Sequence, residues 1–126
     1  MFIQVDLTSS VAIYEQVVQQ IKFSIAAGSI LANELIPSVR ELSRQLALNP
    51  NTVARAYRML QDDGTVYARR GTGLAVAADS PDRCKAERRN WFENQFRRLI
   101  AEARRCSLQQ DEIREIIESA VSHSNG

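Results

Sequence analysis

Three polar side chains in the middle of the sequence have the types and the spacing that read DNA bases. Asn51, Arg55 and Arg58 recur at a helical spacing, so a helix would place them on one face. Arginine can bond O6 and N7 of guanine with two hydrogen bonds, and asparagine can bond N6 and N7 of adenine likewise. The pattern predicts a helix that enters the major groove. A helical hairpin with a solvated basic face is the alternative.

The residues around this face indicate two short helices joined by a tight turn. Ser38 and Glu41 form a Ser-x-x-Glu capping box, which predicts that a helix starts at Ser38. Asn49 suits an N-cap and Pro50 suits the first helical position, so a second helix is expected there. This helix is expected to end at Gly64 and to bury an apolar set at positions i, i+3, i+4 and i+7: Val53, Ala56, Tyr57 and Leu60.

A longer helix is predicted before this pair. Residues 2–7 alternate apolar and polar side chains, which predicts a short strand or an extended arm. The hydroxyls of residues 8–10 are expected to cap a helix that runs to about Ala27 and stops at Gly28. The segment 29–36 connects it to the helix pair, and three of its apolar residues are expected to pack on the core: Ile30, Leu35 and Ile36.

After the helix pair, two β-prone runs surround a Gly-x-Gly tip and predict a hairpin. The hairpin places Arg69 and Arg70 beside Gly71, where the bare backbone can approach a phosphate or the minor groove. Two solvated arginines on an ordinary hairpin are the alternative, and a nucleotide-binding loop is weaker because no third glycine or Gly-Lys-Ser/Thr follows. Three helices and a hairpin predict a winged helix-turn-helix domain over residues 1–78, in a mostly α protein with a small β-hairpin.

Composition and charge are compatible with this interpretation. The 126 residues, 44% hydrophobic and 25% charged, predict one ordinary globular domain, or a small domain with an appendage. The net charge of +1 does not by itself indicate nucleic acid. Residues 36–78, however, contain more arginines than carboxylates, and two of the three carboxylates lie at the far end of the second helix.

The sequence also predicts the compartment. No secretory signal and no apolar run long enough for a transmembrane helix are visible, so a cytoplasmic protein is expected. Cys84 and Cys106 have neither zinc-site nor CxxC spacing, and a redox-sensing pair is left open.

The residues after a predicted linker at 77–82 have a different character. They predict two amphipathic helices, a basic one over 83–105 and an acidic one over 107–122, with Ser107 and Gln110 capping the second. Two such helices cannot bury their apolar faces by packing only on each other, so residues 79–126 are expected to form a homodimerisation tail. The alternative is a monomer in which the tail packs on the winged domain. The expected dimerisation residues are Trp91, Phe92, Phe96, Leu99, Ile113, Ile116 and Ile117. The basic run 83–89 either touches flanking DNA or is solvated.

Residues 13–78 resemble the N-terminal domain of the GntR family of bacterial transcriptional regulators. The resemblance rests on matching pieces in the same order and spacing: Ile13-Tyr14-Glu15-Gln16, Pro37-Ser38-Val39-Arg40-Glu41-Leu42, Asn49-Pro50-Asn51-Thr52-Val53, Ala56-Tyr57-Arg58 and Arg70-Gly71-Thr72-Gly73. It implies a winged helix that binds an operator as a dimer through Arg40, Asn49, Asn51, Thr52, Arg55 and the tip at Arg70-Gly71. The sequence departs from the family pattern in two places: the family usually has Pro-Gly at Ala32-Asn33 and often has arginine at Ala54. We expect Asn33 to tolerate a left-handed turn.

The short tail is similar to that of the YtrA-like subfamily, which carries a two-helix dimerisation module. Two helices of one subunit cannot enclose a ligand pocket of the usual ~300–1,000 Å³. If the protein has a small-molecule effector, we therefore expect it to bind at the dimer interface or between the tail and the hairpin.

The predicted function is therefore a sequence-specific transcriptional regulator, a repressor by default because operator occupancy blocks polymerase. Double-stranded DNA and a second copy of the chain are the predicted partners. Arg55, Asn51 and Arg40 are predicted to read or frame bases, Ser38, Thr52 and Arg58 to bind phosphates, and Arg69, Arg70 and Gly71 to act at the wing.

A protein-interaction scaffold built on a winged helix is the alternative function. An enzyme is not expected, because His123 is the only histidine and no metal-ligand cluster or catalytic constellation is visible. No cofactor and no metal are predicted.

Overall fold

The computed structural model describes residues 4–124 of the chain. In this range the elements are α1 (Ile13–Ala26), α2 (Val39–Leu46), α3 (Pro50–Asp62), β1 (Val66–Arg69), β2 (Gly73–Val76), α4 (Ser80–Arg105) and α5 (Gln110–His123). The predicted fold class, mostly α with a small β-hairpin after three helices, is confirmed. Residues 4–7 are irregular rather than a strand, and residues 2 and 3 of that predicted segment lie outside the described residues.

Helix α1 supplies one side of the core. Val17, Ile21 and Ile25 are at most 1% exposed, because their spacing of four residues puts them on one face of the helix. Gly28 follows with a φ of 82°, a left-handed conformation that ends the helix as predicted.

The start of α1 differs from the prediction. The hydroxyls of residues 8–10 do not cap it; Ala12 is the N-cap residue, and no side chain bonds the helix end there. Instead, the Gln16 side chain turns back, so that its amide oxygen accepts from the Asp6 N–H at 2.8 Å. Its amide nitrogen donates to the carbonyls of Asp6 and Val11 at 2.9 and 3.0 Å. The segment before α1 is therefore tied down by a residue inside the helix.

Local capping defines the two helices of the helix-turn-helix pair. Ser38 Oγ accepts from the Glu41 N–H at 3.1 Å, and the Glu41 carboxylate accepts from the Ser38 N–H at 3.2 Å, so the predicted capping box is confirmed. Asn49 Oδ1 accepts from the Asn51 N–H at 2.8 Å at the start of α3, which has a proline at its first position. Between the helices, Ala47 has a φ of 53° and a ψ of 46°, the left-handed conformation that ends α2.

The connector between α1 and α2 extends the sheet. Strands β1 and β2 pair antiparallel along their whole length, and Leu35 forms a further bridge with Ala75. Next to it, the Ile36 N–H donates to the Leu74 carbonyl at 2.9 Å. Ile30 and Ile36 are buried as predicted, whereas Leu35 is 44% exposed. Alternate residues of an extended segment point to opposite faces, so Leu35 and Ile36 cannot both face the core.

Helix α3 completes the core of this domain. The predicted apolar set is confirmed as buried, and none of its members is more than 4% exposed: Val53, Ala56, Tyr57 and Leu60. The Tyr57 hydroxyl donates to the Pro37 carbonyl at 2.7 Å. Burial, helped by the negative charge of Glu41, raises the pKa of this hydroxyl, so it remains a hydrogen-bond donor at physiological pH. This bond holds the start of α2 beside α3.

Helix α4 runs without a break from Ser80 to Arg105. The linker predicted at 77–82 is therefore wrong for residues 80–82, which form the first turn of α4. Ser80 is fully buried, its hydroxyl donates to the Thr65 carbonyl at 2.6 Å, and Cys84 is 2% exposed one turn later. Because these turns are buried with the winged part, the chain divides within α4 into compact units of Met1–Arg88 and Arg89–Gly126.

The second unit consists of the later turns of α4 and the whole of α5. Ser107 reverses the chain with a φ of 71°, and the Leu108 N–H donates to the Ala103 carbonyl at 3.0 Å. The predicted cap of α5 by Ser107 and Gln110 is wrong, because Gln109 is the N-cap residue and makes no side-chain bond there. Ser107 instead forms the left-handed turn that follows α4.

Among the described residues, no helix is both long enough and apolar enough to cross a bilayer. Cys84 and Cys106 are both free thiols. Burial, followed by the charge of Glu87, raises the pKa of the Cys84 thiol to about 11, whereas Cys106 is exposed. At neutral pH the Cys84 thiol is thus both protonated and covered.

Replacement of Ala47 by glycine is expected to stabilise the protein. A residue with a Cβ loses ~1–2 kcal/mol in the left-handed region, which exceeds the ~0.4–1 kcal/mol that glycine loses through unfolded-state entropy. Urea unfolding should show a gain of roughly 0.5–1 kcal/mol in the free energy of unfolding. The control Ala86→Gly, on an exposed turn of α4, should lose ~1 kcal/mol. A loss at both positions would contradict the expectation.

The two cysteines should differ in their reaction with a thiol reagent such as Ellman's disulfide. Cys106 should react rapidly in the folded protein, because attack needs an exposed thiolate, and Cys84 should react only after unfolding. The variant Cys106→Ser should show no fast thiol, and Cys84→Ser should keep the fast thiol of the wild type. Rapid reaction of both thiols in the native protein at mildly alkaline pH would refute the burial of Cys84.

Candidate nucleic-acid interface

The side of α3 opposite the core carries the predicted base-reading residues. Asn51, Arg55 and Arg58 are all exposed, and four- and three-residue steps bring them to one face of the helix. No ion pair involves these arginines within residues 4–124. Asp63, at the end of α3, pairs instead with Lys22 at 2.7 Å. The structure therefore leaves this face basic and open.

Arg55 rests on an aromatic ring that the sequence interpretation did not assign to the site. Its guanidinium carbon lies 3.8 Å from the centroid of the Tyr14 ring of α1. A cation over the face of an aromatic ring at an exposed site gains ~0.5–1 kcal/mol, which holds the long arginine side chain in one region. Tyr14 belongs to the Ile13-Tyr14-Glu15-Gln16 piece of the family pattern, and that piece is the signal that could have identified it.

The N-terminal ends of α2 and α3 bring further predicted contact residues to the surface. Ser38 and Asn49 are the N-cap residues of these helices, and Arg40 is exposed in the first turn of α2. Thr52 is half-buried beside Asn51. Unbonded backbone N–H groups and the helix dipole make such ends favourable for phosphate oxygens. The Ser38 hydroxyl accepts one bond and retains its own proton for a further acceptor.

The two arginines of the wing, the hairpin formed by β1 and β2, lie in different surroundings. Arg69 is half-buried and its guanidinium donates to the Asn33 carbonyl and, at 3.2 Å, to the Tyr67 hydroxyl. Arg70 is exposed at the tip. Gly71 has a φ of 77°, and a Cβ placed there would meet no atom within 4 Å, so its surroundings are open. The tip therefore presents Arg70 and bare backbone, while Arg69 attaches the wing to the connector.

The Ala32-Asn33 turn adopts the geometry expected of it. Asn33 has a φ of 67°, and its side-chain oxygen accepts from the Tyr67 hydroxyl at 3.2 Å. The predicted tolerance of Asn33 for a left-handed conformation is confirmed. Asn33 also becomes the junction between the connector and the wing, since its carbonyl binds Arg69.

The Glu41 carboxylate near this surface is engaged in the capping box of α2. A backbone hydrogen bond from Ser38, with its side-chain hydrogen bond next, lowers the pKa of the Glu41 carboxyl below its usual range, so the capping box stays ionised at neutral pH. Residues 4–124 contain no group of three or more His, Cys, Asp or Glu side chains placed to hold a metal ion. The arrangement can bind polyanions through exposed guanidinium groups, helix N-termini and glycine backbone.

Comparison with known proteins identifies the family. Residues 13–76 match the family described as "Bacterial regulatory proteins, gntR family". The chain belongs to this family. As a GntR-family protein, it is a transcriptional regulator with a winged helix-turn-helix DNA-binding domain, as predicted.

Its similarity to some members of the family extends beyond the winged domain. This GntR protein is 31% identical to the HTH-type transcriptional repressor YtrA of Bacillus subtilis over 124 residues, which cover 98% of this chain and 95% of YtrA. A transcriptional regulator from Oenococcus oeni has a similar structure, with a TM-score of 0.77, 28% identity and coverage of 95% and 99% of the two chains. The predicted YtrA-like resemblance is thus confirmed over the tail as well.

Part of the chain resembles a protein domain whose structure was solved on DNA. The structure of the AraR DNA-binding domain in complex with operator ORX1 matches with a TM-score of 0.52 and 28% identity, covering 61% of this chain and 99% of the AraR domain.

Proposed function

We propose that this GntR-family regulator is a sequence-specific repressor that binds a palindromic operator as a homodimer. The observation that carries the proposal is the open basic face of α3, on which Asn51, Arg55 and Arg58 lie opposite a fully packed apolar face. A helix with this division of faces can rest on its own domain and still enter a major groove.

Base reading is assigned to the exposed polar residues in the N-terminal half of α3. Asn51 and Arg55 can each form bidentate bonds to a purine, and each good pair contributes ~1–3 kcal/mol of discrimination. Arg40 frames the same region from the first turn of α2. The Tyr14 ring limits the positions that the Arg55 guanidinium can take before binding.

Phosphate contacts set the register of the domain on the duplex. Ser38, Asn49 and Thr52 lie at or next to helix N-termini, where backbone N–H groups and hydroxyls bind phosphate oxygens. Arg58, three residues after Arg55 on α3, is assigned to a phosphate at the edge of the groove.

The wing is proposed to act through its tip. Arg70 and Gly71 are assigned to the minor groove or to the adjacent backbone, because the tip is exposed and unobstructed. Arg69 contributes by holding the wing on the connector through Asn33.

The second unit is proposed to join two copies of the chain. Four of its large apolar side chains are 52–68% exposed in the single chain: Phe96, Leu99, Ile116 and Val121. Between α4 and α5 lies an open groove of about 480 Å³, lined almost entirely by apolar residues. Full burial of such a side chain contributes up to ~1.5–3 kcal/mol, and contiguous exposed apolar surface is typical of interfaces. This exposed apolar surface supports association with a second copy; the alternative is a monomer whose tail packs on the winged domain.

The proposed dimerisation residues do not contribute equally. Trp91 and Phe92 are 39% and 45% exposed and form an edge-to-face pair with ring centroids 4.8 Å apart. Ile117 is 38% exposed, whereas Ile113 is already 7% exposed within one chain. Ile113 is therefore assigned to the floor of the groove, and the more exposed residues to contact with the second copy.

A dimer implies a symmetric target. Two recognition helices related by a twofold axis bind half-sites ~34 Å apart, or a multiple, so the operator should be palindromic. YtrA is named a repressor and the AraR domain was solved with an operator, which supports the same role here. The effector inferred from the short tail stays a prediction.

Replacement of the α3 arginines should separate base reading from phosphate binding. Once an operator has been selected from fragments of the source genome, Arg55→Ala should weaken its binding by roughly 5- to 150-fold per half-site and random DNA much less. Arg58→Ala should weaken both DNAs similarly and reduce the salt slope by about one per subunit. Gel shifts over a salt series measure both effects. Equal losses for Arg55→Ala on both DNAs would refute base reading, and no shift on any DNA would favour the protein-interaction scaffold.

A charge placed in the groove of the second unit should dissociate the dimer. Analytical ultracentrifugation at micromolar concentration should show a dimer for the wild type and a monomer for Phe96→Asp, because a desolvated carboxylate opposes association. The matched control Asn94→Asp adds the same charge two residues away, on the other side of α4, and should stay dimeric. A monomeric wild type would rule out the homodimer.

A further inference from the structure

The C-terminal end of the recognition helix is held by a side chain of α4. Arg83 Nη1 donates to the Asp63 carbonyl at 3.1 Å, and its Nη2 donates to the Gly64 carbonyl at 2.8 Å. These two residues follow the last turn of α3 directly. Carbonyls at a helix end lack intrahelical partners, and a cation there also complements the helix dipole. Arg83 thus supplies two donors to the end of α3, while its Nε lies 3.2 Å from the carboxylate of Asp79, four residues earlier in the chain.

Further contacts from α4 and α1 hold the segment that follows α3. The Ser80 hydroxyl, one turn before Arg83, donates to the Thr65 carbonyl at 2.6 Å. Lys22 of α1 lies 2.7 Å from the Asp63 carboxylate and 3.0 Å from that of Glu87 in α4. Thr65 leads directly into β1, so the contacts meet where the recognition helix ends and the wing begins.

Lys22 and Asp63 favour each other's charged form. Burial by itself would lower the pKa of Lys22, but hydrogen bonds to Asp63 and Glu87 outweigh it, and the pKa is raised. Burial would likewise raise the pKa of Asp63, but hydrogen bonds from Lys22 and Thr65 lower it. Both shifts favour the ionised pair, so the cluster is assembled at neutral pH.

We propose that Arg83 is a positioning residue for operator binding, which it supports by fixing the end of α3 and the start of the wing without touching DNA. The inference rests on the proposed DNA-binding function. It assigns a role to the first turns of α4, which lie outside the predicted winged domain of residues 1–78. Arg83 belongs to the basic run 83–89, and its guanidinium donates to protein carbonyls.

The test compares Arg83→Ala with Lys85→Ala in the whole chain of 126 residues. Lys85 is exposed on the same helix and carries the same charge, but it makes no ion pair within residues 4–124. With both variants fully folded by circular dichroism, Arg83→Ala should bind the selected operator about 3- to 20-fold more weakly than the wild type, and Lys85→Ala should match it. The salt slope of Arg83→Ala should equal that of the wild type, since no phosphate contact is lost.

Hydrogen exchange supplies a readout that does not depend on DNA. The Gly64 and Thr65 N–H groups donate to the carbonyls of Gln61 and Leu60 at 3.1 and 2.9 Å. In free Arg83→Ala they should exchange faster than in the wild type, whereas the amides of α2 should be unchanged. Arg83→Lys keeps the charge and the aliphatic stem but not the planar pair of donors, so its loss of affinity should be smaller. It replaces Arg83→Ala if that variant does not fold.

The outcomes separate this inference from the proposed function. Operator affinity unchanged in Arg83→Ala, or a salt slope reduced by about one per subunit, would overturn the positioning role; the latter would make Arg83 a phosphate contact. Unchanged hydrogen exchange at the Gly64 and Thr65 N–H groups would overturn the proposal that Arg83 holds the end of α3. A wild-type protein that binds no operator would refute the proposed function, while the exchange measurement would still decide whether Arg83 holds α3.

Discussion

The burial of one face of α3 is the constraint on which the rest of the structure depends. Val53, Ala56 and Leu60 are completely buried, and Val17 and Ile21 of α1 are buried with them in one core. A helix whose apolar face is fully packed cannot rotate without exposing that face, so its opposite face is fixed toward solvent. The polar residues Asn51, Arg55 and Arg58 occupy that opposite face. Core packing and the proposed DNA contacts thus use opposite faces of the same helix.

Both ends of α3 are fixed by contacts that do not belong to the core. At the N-terminal end, Asn49 caps the helix and the Tyr57 hydroxyl holds the start of α2 through Pro37. At the C-terminal end, Arg83 and Lys22 bring α4 and α1 together on the last turn. A binding site must hold its side chains within a fraction of an ångström to form bidentate bonds, and contacts at both ends of α3 would meet this need in the proposed base reading.

The two compact units use their apolar residues differently. In the first, large aliphatic side chains are buried within a single chain, whereas in the second only Ile113 is buried among residues 89–124 and its large neighbours remain exposed. A pair of helices is too small to bury its own stripe, so the second unit needs a further surface. Helix α4 belongs to both units, and it combines contacts that hold the recognition helix with the side chains proposed for dimerisation.

The sequence alone determined several features that depend on neighbouring residues, although the predicted side-chain caps of α1 and α5 were wrong. The capping box at Ser38, the Asn49-Pro50 start of α3, the hairpin and the buried stripe of α3 follow from spacings of a few residues, and the structure confirms them. The tertiary structure decided what depends on distant partners. The Leu35–Ala75 bridge, the Tyr14 ring beneath Arg55, the turn of Arg69 toward Asn33 and the Arg83 clamp each join residues far apart in the chain. The same reason explains the wrong linker at 80–82, since Ser80 begins a helix whose burial depends on Thr65. Caps and periodicity are local and leave a pattern in the sequence, whereas long-range contacts depend on how the packed elements meet.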